Sequence, residues 1–322
     1  MLSGFDFDVL PSDNCQLPTA MVDFRKILLV ILGPTASGKT DLAIRVAEWL
    51  GTEVISADSR QFYSEISIGT AKPDADQLAK VPHHFIGNIS IQEDYNIARY
   101  EREAIILLEE LYKKHDVVVL CGGSGLYIDA VCNGVDEQPG HDPQIRKMLA
   151  NRYKEEGIGF LQAELQVRDP EYYRIVDLSN PHRLIRALEV CVATGKPFSS
   201  FLTRGIKQRN FRIVKIGIDF SRNELIDRIN RRVDRMIEEG LEQEARLNIP
   251  NRSLNALNTV GYKEMFQYFD GQCTLEDAVE KIKINTRRYA KRQMTWFRRD
   301  KEIMWTKPEL LTPVILHQAL NG

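Results

Sequence analysis

The stretch Ile27-Leu28-Leu29-Val30-Ile31-Leu32-Gly33-Pro34-Thr35-Ala36-Ser37-Gly38-Lys39-Thr40 decides the fold. Its opening apolar run reads as a fully buried strand, it breaks at Gly33-Pro34, and a helical pattern starts at Lys39. Between the two lies G-x-x-x-x-G-K-[ST], carried by Gly33, Gly38, Lys39 and Thr40. The glycines let the backbone from Gly33 through Pro34, Thr35, Ala36 and Ser37 to Gly38 wrap a phosphate with its N–H groups. Lys39 supplies a point charge, Thr40 a hydroxyl for Mg²⁺, and the helix N-terminus the positive end of a dipole. An ordinary strand-to-helix turn does not account for a lysine and two glycines at these spacings. The motif announces a bound polyphosphate. It does not say which one, or what happens to it.

Working outward, the chain has 322 residues, enough for one large domain or a core with a smaller one. The formal net charge of −2 gives no global basic field, so any nucleic-acid site must be a local patch. The five cysteines (Cys15, Cys121, Cys132, Cys191 and Cys273) lack C-x-x-C spacing, which argues against a disulfide framework or a zinc site and for a reducing, cytoplasmic compartment. No apolar run approaches the roughly 18 residues of a membrane span. Residues 1–22 are polar, contain Pro11 and Pro18 and read as a disordered leader, with Met21 as an alternative start.

Beyond the loop, Leu42, Val46 and Leu50 keep helical spacing and Gly51 stops the helix. Val54 to Ser56 is a short strand leading into Asp58-Ser59-Arg60-Gln61. An acid just past a strand's C-terminal end in an α/β sheet faces the crevice where ligands bind, although a helix N-cap explains it too. His83 and His84, adjacent in an extended segment, point to opposite faces, so a packed histidine is expected rather than a metal pair. A helix over about Tyr95 to Lys114 precedes a third buried strand, Val117 to Leu120. Nucleotide hydrolases usually place a metal-binding acid after such a strand. This chain instead has Cys121-Gly122-Gly123-Ser124-Gly125-Leu126-Tyr127, backbone N–H groups and a hydroxyl, which favours a second substrate or an anion over ATP hydrolysis.

From about His141 to Arg209 the strand-helix alternation gives way to successive helices, an all-helical insertion (141–209) in an α/β core made of 23–140 and 210–322. Arg183 and Arg186 there share one helix face, which is also how a solvated basic face looks. Phe211 to Asp219 alternates like a returning strand. On the following helix Arg228 and Arg232 stand one turn apart and suit one anion. The last long helix, with Thr274 as its cap, ends in Arg287-Arg288-Tyr289-Ala290-Lys291-Arg292-Gln293-Met294-Thr295-Trp296-Phe297-Arg298-Arg299. Basic residues there recur at i and i+4 with aromatics interleaved. That is a nucleic-acid footprint, unless the aromatics pack inward.

Taken together, GPTASGKT, Asp58-Ser59-x-Gln61, IGTAKP, GGSGLY, NPHRLIRALEV, NTVGYKE and AKRQMTWFRRD occur in the order seen in tRNA dimethylallyltransferases, which the chain resembles from about Ile27 to Arg299. Many members carry Thr where this chain has Ser124, and the hydroxyl is kept. The resemblance implies a P-loop NTPase-like core, a parallel sheet flanked by helices with the helical insertion; a cytoplasmic monomer is expected, since the pattern leaves no obvious association helix over. It implies transfer of a dimethylallyl group from its diphosphate to N6 of adenine 37 in tRNAs reading codons that begin with U. A diphosphate leaving group has no γ-phosphate to hydrolyse, which agrees with the absent acid.

By that resemblance Thr35, Lys39 and Thr40 with Mg²⁺ hold the diphosphate, joined by Arg228 and Arg232, and Asp58 is the candidate base for the adenine amine, with Ser124 beside it. The tRNA anticodon stem-loop is expected on Asp58, Ser59, Arg60, Gln61 and Ser124. On the insertion it is expected on Arg146, His182, Arg183, Leu184, Ile185 and Arg186. Further contacts are expected at Asn258, Thr259, Val260, Gly261, Tyr262 and Lys263, and at Lys291, Arg292, Gln293, Met294, Thr295, Trp296, Phe297 and Arg298. Three alternatives use fewer of these features: a small-molecule kinase, an isopentenyltransferase acting on free adenylates, and a non-catalytic RNA-binding protein with a vestigial loop. Intact Lys39, Thr40 and Asp58 speak against the last.

Overall fold

The computed structural model describes residues 26–136, 139, 142–202 and 205–321. The leader expected over 1–22 lies outside them. The central strand is β1 (Ile27–Leu32), with every residue buried. It leads into α1 (Lys39–Leu50), followed by β2 (Val54–Ser56), α2 (Ala75–Lys80), β3 (His83–His84), α3 (Ile97–Leu111), β4 (Val117–Gly122) and α4 (Gly125–Asn133). The strand expected to be third is thus fourth, because His83-His84 pairs in parallel with β2. His83 Nδ1 lies 2.7 Å from the Val81 carbonyl and His84 Nε2 2.7 Å from Glu53, so both histidines are engaged locally. Among the described residues no group of acids, histidines and cysteines is placed to hold a metal by itself.

Four helices without strands follow: α5 (Pro143–Glu156), α6 (Ile158–Arg168), α7 (Pro170–Tyr173) and α8 (Pro181–Thr194). Aspartate or asparagine caps start three of them, at Asp142, Asp169 and Asn180, each followed by proline at the first turn. They bury a core of their own around Leu149, Leu161, Leu165, Leu184 and Leu188. The chain returns through β5 (Arg212–Ile218), α9 (Arg222–Glu238), α10 (Leu241–Leu247), α11 (Tyr262–Phe269) and α12 (Leu275–Phe297), then adds β6 (Met304–Thr306) and α13 (Pro313–Asn321). Thr274 caps α12 through a reciprocal box with Asp277, as its spacing predicts.

The strands form one parallel sheet in the order β3-β2-β4-β1-β5-β6. Side chains alternate across it. Leu28, Val30 and Leu32 face the layer holding α3, α4, α11 and α12, whereas Leu29 and Ile31 face α1 and α13. Both faces being covered explains why β1 is uniformly apolar rather than alternating. The C-terminal ends of β1, β2 and β4 meet at one edge, where the phosphate loop, Asp58 and Gly123 emerge. Among the described residues no helix is long and apolar enough to cross a membrane.

Candidate active site

The loop after β1 is shaped by two residues in the left-handed region, Ala36 at φ 63° and Gly38 at φ 78°. Glycine takes this conformation freely, while a non-glycine there costs on the order of 1 kcal/mol or more and persists where the surroundings hold it. Those surroundings come from α9. Arg228 Nε donates to the Ala36 carbonyl at 2.8 Å, and Arg232 Nη1 donates to Thr35 Oγ1 at 3.1 Å. A Cβ on Gly38 would stand 3.0 Å from the Arg228 guanidinium, so the small residue lets the arginine close on the loop. The pair expected to clamp one anion is therefore built into the loop wall. Pro34 accepts a long contact from Lys39 Nζ at 3.5 Å, and the Ser37 hydroxyl is fully buried without a partner.

The loop's other support comes from α12. Gln293, expected on an RNA surface, is buried. Its Oε1 accepts from the Thr35 N–H at 2.8 Å and its Nε2 donates to the Gly123 carbonyl at 2.8 Å. It is a strut between the phosphate loop and the β4 loop, and it occupies the Thr35 N–H that was expected to face a phosphate. A Cβ on Gly123 would sit 2.5 Å from the Gln293 amide. One turn along, α12 meets α4: a Cβ on Gly125 would lie 2.4 Å from the Trp296 ring, and Trp296 Nε1 donates to Asp129 at 2.9 Å. Trp296 and the buried Phe297 thus pack inward. The outer face of the same helix exposes Arg288, Lys291, Arg292 and Thr295, with Arg298 and Arg299 exposed just past its end and Met294 half-buried between the faces.

These elements enclose a hollow of about 460 Å³. Thr35, Lys39 and Thr40 line it from the loop; Asp58, Ser59, Arg60 and Gln61 from beyond β2; Arg232, Val233 and Met236 from α9. Asn258, Thr259, Val260, Gly261 and Lys263 form another side, with Ile282, Tyr289 and Arg292 of α12. Asp58 stands near two cations, Lys39 and Arg232. Desolvation lowers the Lys39 pKa below 10.5, opposed by the Asp58 charge and deepened by Arg232. Desolvation lowers Arg232 too, although a guanidinium stays charged throughout the physiological range. Tyr289 is pushed up to about 12 by burial and then by the Asp58 charge, with a hydrogen bond to Ser124 opposing. Ser124 Oγ also accepts from the Ser59 N–H at 3.1 Å, fixing the segment that carries Asp58.

A second hollow of about 650 Å³ lies on the other side of Lys39, Thr40, Arg232 and Met236, with Lys72, Arg228, Arg231 and Arg235 along it. The two spaces share that wall. The strip between them, Ser67 to Lys72, is held by Glu244, whose carboxylate accepts the N–H groups of Ser67, Ile68 and Gly69 at 2.7–2.9 Å and the Tyr262 hydroxyl.

Several residues expected on the RNA surface are buried or ion-paired within the fold. Tyr262 is fully buried under Gly69, where its ring takes the space of a Cβ. Gly261 is buried against Glu264. Gln61 is buried and donates to the Thr70 and Ala71 carbonyls. Leu184 and Ile185 belong to the insertion core. Arg146 and Arg186 both pair with the buried Glu189, at 3.3 and 3.2 Å. His182 and Arg183 beside them are exposed, as are Asn258 and Lys263. Arg146 also reaches a third hollow, of about 740 Å³, which Asn258 and Lys263 line as well. The apolar patch Val233, Met236 and Ile282, and Tyr289 facing Asp58, are the site residues that motif reading did not supply. The i, i+4, i+7 spacing of Tyr289, Gln293 and Trp296 was the available sign of an inward face.

A phosphate loop at the end of the central strand of a covered parallel sheet, a carboxylate across from it and an inserted helical unit define a P-loop protein with a two-sided site. A model of the IPP transferase family matches residues 61–300, and the chain belongs to that family. It is 53% identical over 288 residues to tRNA dimethylallyltransferase 1 of Phocaeicola vulgatus, covering 89% of this chain and 96% of that one. It is 56% identical over 278 residues to tRNA dimethylallyltransferase of Christiangramia forsetii, covering 86% and 92%. The full-length tRNA isopentenylpyrophosphate transferase from Bacillus halodurans shares its fold at a TM-score of 0.66 and 36% identity, over 92% of this chain and 95% of that one.

Proposed function

We propose that this chain is a tRNA dimethylallyltransferase that moves a dimethylallyl group from dimethylallyl diphosphate to N6 of adenine 37 in tRNAs reading codons that begin with U. The observation that carries the reading is the composition of the 460 Å³ hollow: phosphate-loop cations at one end, one carboxylate, and an apolar patch of Val233, Met236 and Ile282 between polar walls. A small, wholly polar phosphate acceptor needs no such patch beside the phosphate loop. A five-carbon allyl group does, because burying it there removes apolar surface from water.

The chemistry then divides among named residues. Lys39, Arg232 and the loop hold the diphosphate and stabilise the charge that grows on its bridging oxygen as the allylic C–O bond breaks. The C–N bond forms to N6, whose lone pair is delocalised into the ring, so fixing its direction matters as much as basicity. Asp58 accepts the proton that N6 sheds, and diphosphate leaves as the second product. Adenine reaches Asp58 by leaving the anticodon-loop stack. Asn258 and Lys263 stand at that entrance with Arg292, and His182 and Arg183 of the insertion extend the RNA surface. The second hollow, with its row of arginines, is the entry for the diphosphate.

Thr40 lines this space and offers a hydroxyl, a hard oxygen donor that suits Mg²⁺ when substrate phosphate and water complete its shell. When bound there, Mg²⁺ would add positive charge beside the diphosphate. The protein would act as a cytoplasmic monomer, with 141–209 as the tRNA-gripping unit.

The test is direct. Purified protein given dimethylallyl diphosphate and Mg²⁺ should add the mass of one C5 unit to unmodified tRNA and leave AMP untouched in a parallel reaction. Equal transfer to AMP, or turnover of ATP instead of the allylic donor, would overturn the assignment.

A further inference from the structure

Glu101 of α3 is a carboxylate buried to 6% exposure, far from the phosphate loop in sequence and absent from the hollows described above. A carboxylate is rarely buried unless cations and N–H groups compensate its lost hydration. Its partners come from both connections between the core and the helical insertion. From the outgoing connection, the Val135 N–H donates to Glu101 at 3.3 Å. From the returning one, Lys207 Nζ donates at 3.1 Å and Arg209 Nη2 at 2.8 Å. The connections are also tied to each other and to α4. The Lys207 N–H donates to the Asn133 carbonyl at 2.8 Å, and Arg209 reaches the Ala130 carbonyl at 2.8 Å. Close approach is secured at Gly134, where a Cβ would stand 2.5 Å from the Lys207 side chain.

We propose that Glu101 is a positioning residue that fixes the direction in which the insertion leaves the core, and so sets where Arg183 and His182 meet tRNA relative to Asp58. The chemistry: one carboxylate gathers a neutral and two cationic donors from chain segments about 70 residues apart. The proposal rests on the reading that the insertion contacts tRNA.

Glu101→Gln keeps the shape and removes the charge. In the full chain, KM for tRNA should rise about tenfold while kcat and KM for dimethylallyl diphosphate stay within about twofold, the split expected when substrate reach and not chemistry is altered. Spin labels at the exposed positions Ile106 on α3 and Val167 on α6, with the accessible native cysteines replaced by serine, should give a broadened distance distribution. Lys207→Gln, at a half-exposed partner that leaves the Arg209 pair in place, should shift both readouts the same way by less, and it serves if Glu101→Gln does not fold. A distance distribution identical to wild type overturns the proposal. So does a loss of kcat in step with a lowered Tm at unchanged KM. A broadened distribution with unchanged KM for tRNA overturns instead the reading that the insertion handles tRNA.

Discussion

Two arginine pairs, one along α9 and one shared between α5 and α8, are both expected to meet an anion and are held differently. Arg228 and Arg232 of α9 donate to neutral acceptors, the Ala36 carbonyl and the Thr35 hydroxyl, and line the hollows on either side of the loop. Arg146 and Arg186 of the insertion both end on Glu189, a carboxylate with no exposure. The first pair keeps its charge available to an anion. The second shares one buried acid inside the insertion, with Arg146 also reaching the third hollow. Glu189 is three residues after Arg186, and that spacing places the two on one helix face. The difference was therefore legible: an arginine with an acid at i+3 on its buried side is a structural ion pair before it is an RNA contact.

The comparison breaks most sharply if the two pairs are cut separately. Arg232→Met should lower kcat/KM by on the order of 10³-fold, the usual range for removing a preorganised donor at a developing anion. A loss under tenfold, measured by steady-state kinetics with tRNA in excess, would put the charge stabilisation elsewhere. Asp58→Ala should lower kcat by about 10²-fold and leave tRNA affinity in a filter-binding assay nearly unchanged, the factor expected for a general base.

Lys39 gives the same contrast a pH dependence. Its pKa is lowered by desolvation, so the folded enzyme holds that charge less firmly than a free lysine does, and the charge is lost as pH rises through a value below 10.5. A bound diphosphate restores it, so donor binding takes up a proton on the alkaline side. KM for dimethylallyl diphosphate should climb there before free lysine would titrate, and a KM flat to pH 10.5 would count against Lys39 as a phosphate contact.

Smaller effects belong to the outer surfaces. Arg292→Ala should weaken tRNA binding several-fold and reduce the slope of log K against log salt by about 1, as for one lost phosphate contact. Arg186→Ala should do least to catalysis. It leaves Glu189 with Arg146 and the Asp142 N–H, so thermal melts should fall by a few degrees while KM for tRNA barely moves. The reverse outcome would make Arg186 an RNA contact after all.

What the sequence disclosed follows from which signals are local. The phosphate loop, the capped α12 and the run of helices between Asp142 and Thr194 rest on spacing within a dozen residues, and each forms. β6 was missed because its three residues are held by pairing with β5 rather than by their own pattern. The apolar patch of the hollow was missed for a related reason. Val233, Met236 and Ile282 read as ordinary inward positions of two amphipathic helices until the fold brings α9 and α12 to the loop. The α12 aromatics carry the plainest correction. Interleaved with cations they suggested base stacking unless they packed inward, and Trp296 and Phe297 do pack against the core while the cations and Thr295 face out.

The position of β1 has a consequence for motion. It pairs with β4 on one side and β5 on the other and is covered on both faces. Its interior amides are therefore shielded from every local opening and should exchange with solvent deuterons only when the whole core unfolds. The next residues along the chain are the phosphate loop. A segment expected to exchange slowly thus ends at the phosphate loop, so the loop is anchored at its root by a part of the protein expected to open late.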